Sequence, residues 1–418
     1  MRAIFHIDAN SAYLSWTAVN MLEHGHAVDI REIPSVIAGD QQNRHGIILA
    51  KSIPAKRYDI RTGNSLMEAR RKCPGLQIYP PDYDLYMNCS DAMYDLLSEY
   101  SPSVERYSID ECYVDYTKSM QLFGSPEEVA FMMKERIKRE LGFTVNVGIS
   151  HNKLLAKMAG ELKKPDAVCT LYPDEIPEKL WPLPVEELFM IGRATMLKLR
   201  RVNLNTIGDV ARSDINLLKA LLKNFRGNMV WHFANGIDAG VVGDGAAYAQ
   251  KGIGNGQTIA YDVLTAEEAA PLLLALSERA AMRLRRQRFR ATVITVSVRS
   301  SDLDTHYGHQ RKLCHSVCST PDIYRTALSL FNEMWRGEPI RKINIRLSGL
   351  ESDERQLSIF ETEDAYRQER LDETVDKIRQ RYGQYAVFRG IFANTCHKPV
   401  LGSTNDGNFI IMGGYMQS

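Results

Sequence analysis

Two adjacent carboxylates, Asp110 and Glu111, interrupt a run of aromatic and β-branched residues from Tyr107 to Tyr116, here called the carboxylate hairpin. The flanking residues favour β-strands, so the pattern predicts two strands joined by a sharp turn near Ser108. Neighbouring side chains on a strand point to opposite faces and converge only where the backbone turns. Two carboxylates held that close repel each other unless a cation neutralises them. The stretch is therefore either a solvated hairpin tip or half of a site for a hard divalent cation such as Mg²⁺.

The first predicted strand ends in a third carboxylate, Asp8. Residues 2–7 have the pattern of a short buried strand, and the helical spacing of residues 10–24 places a helix directly after it. Asp8 or Asn10 would cap that helix in the simplest interpretation. If Asp8 instead faces the carboxylate hairpin, the three acids can hold two metal ions about 3.5–4 Å apart, the arrangement used for in-line phosphoryl transfer.

Strand and helix patterns in the first part of the chain interleave as βαββαβ, which predicts an α+β domain with the carboxylates on the open sheet face. Helical spacing covers residues 83–100 and 126–141, and residues 143–149 alternate as a strand. The helix predicted at 152–162 is followed by Lys164 and Pro165. A second βαββαβ pattern begins after a Gly-rich stretch and ends near residue 350.

Three motifs in this order resemble the Y-family translesion DNA polymerases, most of all the bacterial DNA polymerase IV group. They are Asp8 with Tyr13 after it, Ser-Ile-Asp-Glu at 108–111, and Gly-Ile-Ser-His-Asn-Lys-Leu-Leu-Ala-Lys at 148–157. The resemblance implies an α+β multidomain, right-hand polymerase. Its expected parts are a palm (1–30 and 73–170), small fingers (31–72), a helix-hairpin-helix thumb (171–237), a linker (238–251), a little finger (252–350) and a tail (351–418).

The resemblance assigns the family's active-site roles to matching residues of this chain. Asp8, Asp110 and Glu111 are expected to be catalytic and to hold two Mg²⁺ ions, together with the backbone carbonyl of Ala9. Asp8 and Asp110 would bridge both ions, and Glu111 would bind the ion on the side of the attacking primer hydroxyl. Tyr13 matches the steric gate that excludes ribonucleotides, although a tyrosine at this place on a helix also suits a protein core.

Two lysines match triphosphate-binding positions of the family, Lys56 in the fingers and Lys164 in the palm. The chain departs from the commonest pattern because Ile53 and Lys56 stand where Tyr and Arg are usual. Lysine is a point charge without the bidentate fork of arginine, so the grip on phosphate is expected to differ. A solvated basic helix is the alternative for Lys56.

Charge along the chain indicates where DNA would bind. The net charge is only +1, but residues 279–312 hold nine basic residues against two acidic ones, a local excess of seven. Little-finger contacts are expected from Arg288, Arg290 and Arg299, and thumb contacts from Gly192 and Arg193 in the helix-hairpin-helix. Such contacts grip phosphates without reading sequence. A plain helical bundle is the alternative for residues 171–237.

Residues 356–360 (Gln-Leu-Ser-Ile-Phe) resemble the peptide with which bacterial polymerases dock onto the sliding clamp. Gln356, Leu357, Ile359 and Phe360 would enter a groove of the clamp. The alternative is a strand end that packs into the little finger.

Composition excludes several other classes. The chain has no apolar run near eighteen residues, which predicts no membrane span, and its 44% hydrophobic and 25% charged residues suit a soluble, globular protein. We expect this protein to be a monomer. Seven cysteines, an odd number spread over 418 residues, favour a reducing cytoplasm over a disulfide framework. Cys314, His315 and Cys318 lack the second ligand pair that a zinc site needs.

The leading functional prediction is therefore a low-fidelity DNA polymerase that extends a primer with dNTPs on primer-template DNA, past damaged bases. A catalytically silent polymerase-like adaptor in a mutagenic complex is the first alternative, and it is disfavoured because all three acids are present. A nucleotidyl cyclase shares the two-metal chemistry, but it has no use for a thumb, an Arg-rich domain or a clamp peptide.

Overall fold

The computed structural model describes residues 2–40, 46–243, 250–353, 363–383 and 385–393. They form two compact units, one made chiefly by residues up to 243 and the other chiefly by residues from 250 onward. Within these described ranges, no helix is both long enough and apolar enough to cross a membrane.

The first unit contains two sheets and a helical segment. In chain order its elements are β1 (Ile4–Ala9), α1 (Ala12–Glu23), β2 (Ser35–Ala38), β3 (Ile48–Lys51), α2 (Ile53–Lys56), α3 (Leu66–Lys72), β4 (Gln77–Tyr79), α4 (Tyr83–Ser98), β5 (Val104–Arg106), β6 (Glu111–Asp115), α5 (Met120–Phe123), α6 (Pro126–Arg136), β7 (Val145–Ser150), α7 (Lys153–Leu162), β8 (Val168–Thr170), α8 (Arg193–Arg200), α9 (Ile207–Arg212), α10 (Ile215–Leu222) and α11 (Asn224–Ala234).

The larger sheet has the strand order β5-β6-β1-β7-β8. The central strand β1 is buried along its whole length and pairs antiparallel with both β6 and β7. Apart from the β2–β4 insertion, the order of strands and helices agrees with the predicted βαββαβ pattern, and β8 adds a parallel edge strand. The helix α7 crosses β7 in backbone contact, since a Cβ on Gly148 would lie 1.9 Å from the carbonyl oxygen of Ala156. This close crossing brings the lysines of α7 up to the sheet.

The smaller sheet has the order β3-β2-β4 and is inserted between α1 and α4. Strands β2 and β4 pair in parallel, with Ile37 opposite Tyr79, so the sheet continues beyond the fingers boundary expected at residue 72. Ser65 caps α3 by accepting a hydrogen bond from the Glu68 amide.

The stretch that leads out of the helical segment is fixed to the first unit rather than free. Gly236 accepts a hydrogen bond from the Asn152 side chain (2.8 Å), and Asp238 accepts one from the Leu154 amide (3.1 Å). The Gly243 amide donates to the buried carboxylate of Glu105 (3.0 Å), which also pairs with Lys153 at 2.7 Å. The expected linker therefore begins with residues that are hydrogen-bonded to the rest of the first unit.

The second unit is an antiparallel sheet covered by helices, with the strand order β11-β10-β12-β9. Its elements are β9 (Gly252–Val263), α12 (Ala266–Arg286), β10 (Phe289–Ser300), β11 (His306–Val317), α13 (Thr320–Met334), β12 (Ile340–Ser352) and α14 (Glu363–Tyr382). The order βαββαβ matches the prediction, and the strands extend further than their apolar patterns indicated. Ion pairs join α14 to α12, among them Arg285 with Asp376 at 2.7 Å and Arg379 with Glu278 at 3.2 Å.

Candidate active site

The backbone itself brings the three predicted acids together. Asp8 lies directly opposite Glu111 in the antiparallel ladder of β1 and β6, and the Ala9 amide donates to the Asp110 carbonyl at 3.0 Å. Residues directly opposite each other in such a ladder point to the same face, so the Asp8 and Glu111 side chains share one surface. Asp110 lies in the turn before β6, which frees its side chain from the alternation of the strand.

Neither Asp8 nor Asn10 caps α1, although capping was the simplest interpretation of these two residues. The N-cap position is Ser11, in a left-handed conformation (φ 49°), and it makes no side-chain capping bond. The Asn10 amide group instead donates to Thr144 Oγ1 at 3.2 Å. Asp8 is therefore available to the carboxylate hairpin.

Each acid has a neighbour that partly neutralises or hydrogen bonds it. Lys164 Nζ pairs with Asp8, and Ser108 Oγ donates to Asp110 Oδ1 at 2.5 Å. Glu111 Oε1 lies 2.6 Å from Lys157 Nζ. Lys164 was expected at the triphosphate, and the structure places it on Asp8, within the same group of side chains.

Two residues of this cluster were not given a role from the sequence. Lys157 appeared only as the last residue of the motif at 148–157, and its contact with Glu111 depends on the close crossing at Gly148. His6 is fully buried, with Nε2 3.8 Å from Glu111 Oε2 and 3.4 Å from Lys157 Nζ. Alternation along β1 was the available signal for His6, because residues 6 and 8 lie on the same face of a strand.

Burial and neighbouring charges shift the pKa values of the three acids in opposite directions. Burial raises the pKa of Asp8 above its ordinary value, against the pull of the Lys164 ammonium, and burial also raises the pKa of Asp110. Burial alone would raise the pKa of Glu111, but the neighbouring His6 and Lys157 side chains lower that pKa to about 2. Burial lowers the pKa of His6, which favours the neutral imidazole. Ionisation of Asp8 and Asp110 is therefore unfavourable in this environment, and a bound cation would offset that cost in free energy.

The donor set suits a hard divalent ion, while the present side-chain orientations do not form a ligand cluster. Over the described part of the chain, no group of three or more His, Cys, Asp or Glu side chains is arranged to hold a metal. Mg²⁺ prefers carboxylate oxygens as ligands. Burial raises the pKa of two of the acids that supply them here, Asp8 and Asp110.

Tyr13 lies at the edge of this cluster and also belongs to an aromatic core. Its ring stacks on Tyr86 with centroids 4.3 Å apart and an interplanar angle of 6°. Burial, followed by the charge of Asp110, raises the pKa of Tyr13 to about 12, so its hydroxyl stays protonated at neutral pH. The side chain is only partly buried. Its role as a gate stays a prediction.

The remaining predicted contact residues are mostly exposed. Lys56 at the end of α2 and Arg193 at the start of α8 both face solvent in the first unit. Gly192 is the N-cap of α8, and a Cβ there would meet nothing within 4 Å, which leaves the backbone open to approach. Arg288 and Arg299 are exposed in the second unit. Residues 356–360, with Gln356, Leu357, Ile359 and Phe360, lie outside the described residues.

Arg290 is an exception, and the structure does not support a DNA contact for it. Its side chain is 4% exposed and pairs with Glu369 at 2.6 Å and with Asp353 at 3.2 Å. Burial alone would lower the pKa of Arg290, but these carboxylates raise it, and the guanidinium stays charged. Its partners come from the end of β12 and from α14, so Arg290 holds the second unit together.

Comparison with solved structures gives the fold. A chimeric Y-family DNA polymerase matches with a TM-score of 0.72 at 20% identity, covering 83% of this chain and 99% of that chain. The fold is therefore that of a Y-family polymerase, which confirms the predicted fold class.

Comparison of sequences gives the family. The impB/mucB/samB family matches residues 7–161, and the C-terminal domain of the same family matches residues 250–359. DNA polymerase IV of Clostridium acetobutylicum is 49% identical over 93% of this chain and 98% of its own length, and DNA polymerase IV of Acetivibrio thermocellus is 37% identical over 93% and 97%. The chain belongs to the impB/mucB/samB family, and the predicted resemblance to the polymerase IV group is confirmed.

Proposed function

We propose that this chain is a DNA-directed DNA polymerase that extends a primer with dNTPs past damaged template bases, with low fidelity, by two-metal-ion nucleotidyl transfer. The observation that carries the proposal is the pairing of Asp8 with Glu111 across β1 and β6, with Asp110 in the adjoining turn. Relatives named DNA polymerase IV that match nearly the whole chain support the enzyme class.

The proposed metal site consists of Asp8, Asp110, Glu111 and the carbonyl of Ala9, with two Mg²⁺ ions as the expected occupants. When bound, such ions lower the pKa of the primer 3′-hydroxyl and neutralise the triphosphate and the leaving pyrophosphate. The ladder of β1 and β6 fixes the backbones of Asp8 and Glu111 opposite each other before substrate arrives, with Asp110 in the adjoining turn. Glu111, with its pKa lowered to about 2, is the acid that stays ionised most readily.

The lysines on the acids support an exchange of partners during binding. Lys164 pairs with Asp8 and also lies 2.7 Å from Glu161, and its side chain is 34% exposed. If a cation took its place on Asp8, the Lys164 ammonium would be free to pair with the triphosphate tail. Lys157 is 12% exposed and remains beside Glu111. Lys164 is thus the lysine suited to phosphate, and Lys157 is suited to holding Glu111 in place.

The other parts of the proposal rest on the sequence motifs and on exposure. Tyr13 would pack beneath the sugar and exclude a 2′-hydroxyl, and Gly192, Arg193, Arg288 and Arg299 would touch DNA phosphates. The peptide at 356–360 would dock onto a bacterial sliding clamp. We further propose a monomer that acts in the cytoplasm, in keeping with the six free cysteines among the described residues.

Primer extension by the purified chain tests the proposal directly. Wild type should incorporate dNTPs on undamaged and lesion-containing templates in Mg²⁺, and Asp110→Asn and Glu111→Gln should lose at least about a thousandfold in rate. Asp95→Asn, a surface acid on α4, is the matched control and should incorporate as wild type does. Equal incorporation by all four proteins would sink the assignment, and retained DNA binding without incorporation by wild type would favour the adaptor. A clamp added to the assay should raise processivity, and deletion of residues 356–360 should abolish that gain.

A further inference from the structure

A buried asparagine on β7 lies in the same row as two of the proposed metal ligands. Asn146 is directly opposite Asp8 in the antiparallel ladder of β1 and β7, and Asp8 is opposite Glu111 on its other side. Residues directly opposite each other in such a ladder point to the same face of the sheet. Asn146, Asp8 and Glu111 therefore form one row across three strands, and Asn146 is fully buried in it.

The amide group of Asn146 is hydrogen-bonded to the chain at the end of α7. Its Nδ2 atom donates to the carbonyl of Gly160 at 3.0 Å and to the carbonyl of Lys163 at 2.7 Å. The last four carbonyls of a helix have no partner within the helix, and Gly160 is among them because α7 ends at Leu162. Burying an amide costs free energy unless it is hydrogen-bonded, so these two bonds tie the exit of α7 firmly to β7.

The second of these bonds is made to the peptide group that leads into Lys164. The carbonyl of Lys163 and the backbone nitrogen of Lys164 belong to one planar peptide unit, so fixing that carbonyl fixes where the Lys164 side chain begins. On the other side, Asp166 pairs with Lys134 at 2.8 Å. The backbone is thus held before and after Lys164, and from this point its side chain extends to Asp8, the cross-strand neighbour of the asparagine.

We infer that Asn146 is a positioning residue for Lys164. It fixes the peptide group that carries Lys164 and so keeps the ammonium at the row of acids, where it pairs with Asp8 and, in the proposed reaction, meets the triphosphate of the incoming nucleotide. The step to the triphosphate rests on the proposed polymerase function. A lysine has a long and flexible side chain, so a fixed attachment point reduces the ordering that phosphate binding requires.

The test is a double-mutant cycle between Asn146→Ala and Lys164→Met in single-nucleotide incorporation. Lys164→Met should lower kcat/KM for dNTP by about tenfold or more, because a charge-assisted contact with phosphate is lost. Asn146→Ala should lower kcat/KM by about three- to tenfold when Lys164 is present. In the Lys164→Met background it should lower it by less than about twofold, because no ammonium remains to be positioned. Asn146→Ser, with one donor in place of two, repeats the cycle if the alanine protein does not fold.

Asn152→Ala is the matched control. It removes a buried asparagine amide at the opposite end of α7, where the side chain donates to the Gly236 carbonyl at 2.8 Å. This variant should lower thermal stability as Asn146→Ala does, and it should change kcat/KM by less than about twofold in both backgrounds.

A second readout needs no turnover. Acetic anhydride labels uncharged lysine amines, and mass spectrometry of the metal-free protein measures the rate at Lys164. Because pairing with Asp8 favours the charged ammonium, loosening Lys164 by Asn146→Ala should raise its labelling rate by about threefold or more. Asn152→Ala should leave that rate within about twofold of wild type.

Three outcomes would overturn the inference. They are an unchanged kcat/KM in Asn146→Ala, an equal loss in both backgrounds, which would make Asn146 a purely structural residue, and an unchanged labelling rate at Lys164. Absence of incorporation by wild type would instead reject the proposed function, and the labelling rate would still decide whether Asn146 positions Lys164.

Discussion

The Nζ atom of Lys157 lies 2.6 Å from Oε1 of Glu111, and the two side chains are only 12% and 17% exposed. Neither residue is near the other in sequence, since one lies on α7 and the other begins β6. The pair joins the helix that carries Lys157 to the strand that carries a proposed metal ligand. It therefore couples the stability of the fold to the charge state of the site.

Replacing Lys157 should cost stability in a way that depends on pH. Lys157→Met leaves the buried Glu111 without its cation and is expected to lower the free energy of unfolding at pH 7 by about 3 kcal/mol. Because the folded pKa of Glu111 is lowered to about 2, its contribution is present above the unfolded value and is lost as pH falls toward 2. Urea denaturation between pH 7 and pH 3 should show the difference between wild type and variant shrinking as pH falls. Lys138→Met, which breaks an exposed pair with Asp166, is the control and should cost about 0–1 kcal/mol. A pH-independent loss would contradict the argument.

Replacing Asp110 should have the opposite effect on stability. Burial raises the pKa of Asp110, so the folded state holds the proton more tightly than the unfolded chain, and ionisation at neutral pH destabilises the fold. In the absence of divalent ions, Asp110→Asn is expected to raise the free energy of unfolding at pH 7 by about 0.5–2 kcal/mol. That gain should shrink as pH falls through the folded pKa, because wild type then becomes neutral as well.

Divalent ions should reverse the order of stability of wild type and Asp110→Asn. Mg²⁺ is expected to raise the unfolding midpoint of wild type and to leave that of Asp110→Asn nearly unchanged, as measured by thermal denaturation. Asp95→Asn, on the exposed face of α4, serves as the control and should respond to Mg²⁺ as wild type does. An Asp110→Asn protein that is less stable than wild type at every pH would rule out this account.

Tyr13 should set sugar selection. Removal of its ring by Tyr13→Ala opens the space expected beneath the sugar and should increase incorporation of ribonucleotides relative to deoxyribonucleotides by about tenfold or more. Tyr83→Ala removes an aromatic ring 6.1 Å from that of Tyr13 and is the matched control. It should lower stability without changing sugar selection in competition assays. Equal selectivity of Tyr13→Ala and wild type would return Tyr13 to a purely structural role in its stack on Tyr86.

Two arginines of one strand should behave differently in DNA binding. Arg299→Ala, at an exposed site of β10, should reduce the salt dependence of primer-template affinity by about 0.9 in the slope of log K against log salt concentration. Arg290→Ala should leave that slope unchanged and lower the free energy of unfolding by about 3 kcal/mol, because Glu369 loses its buried partner. Fluorescence anisotropy at several salt concentrations and urea denaturation measure the two effects. A reduced slope in Arg290→Ala at full stability would restore its predicted DNA contact.

The sequence predicted best what is local to one stretch of chain. The strand that carries Asp8, the helix after it and the turn before Glu111 follow from periodicity and residue type, and these elements place the acids. The resemblance then supplied the pairing of these elements, which periodicity alone does not contain. The family and the fold were predicted correctly on that basis.

The partners of charged side chains could not be predicted because they depend on elements distant in sequence. Lys157 contacts Glu111 because Gly148, which has no Cβ, lets the backbone of α7 approach β7 closely. Arg290 fits the pattern of a strand-edge cation, and it is buried by residues that follow it by more than sixty positions, Asp353 and Glu369. A local excess of positive charge therefore does not distinguish a DNA-facing arginine from one that holds a helix.

The anchoring of Gly243 to Glu105 has a consequence for the reach of the chain. Only residues 244–251 separate this anchor from Gly252, the first residue of β9, so nine peptide steps of about 3.3–3.6 Å each allow a span of roughly 30 Å at most. A tether that short keeps two binding modules at an effective concentration in the millimolar range. If both units bind DNA as proposed, a duplex bound by one unit would reach the other without a second diffusional search, and the two contacts would act as one bivalent association.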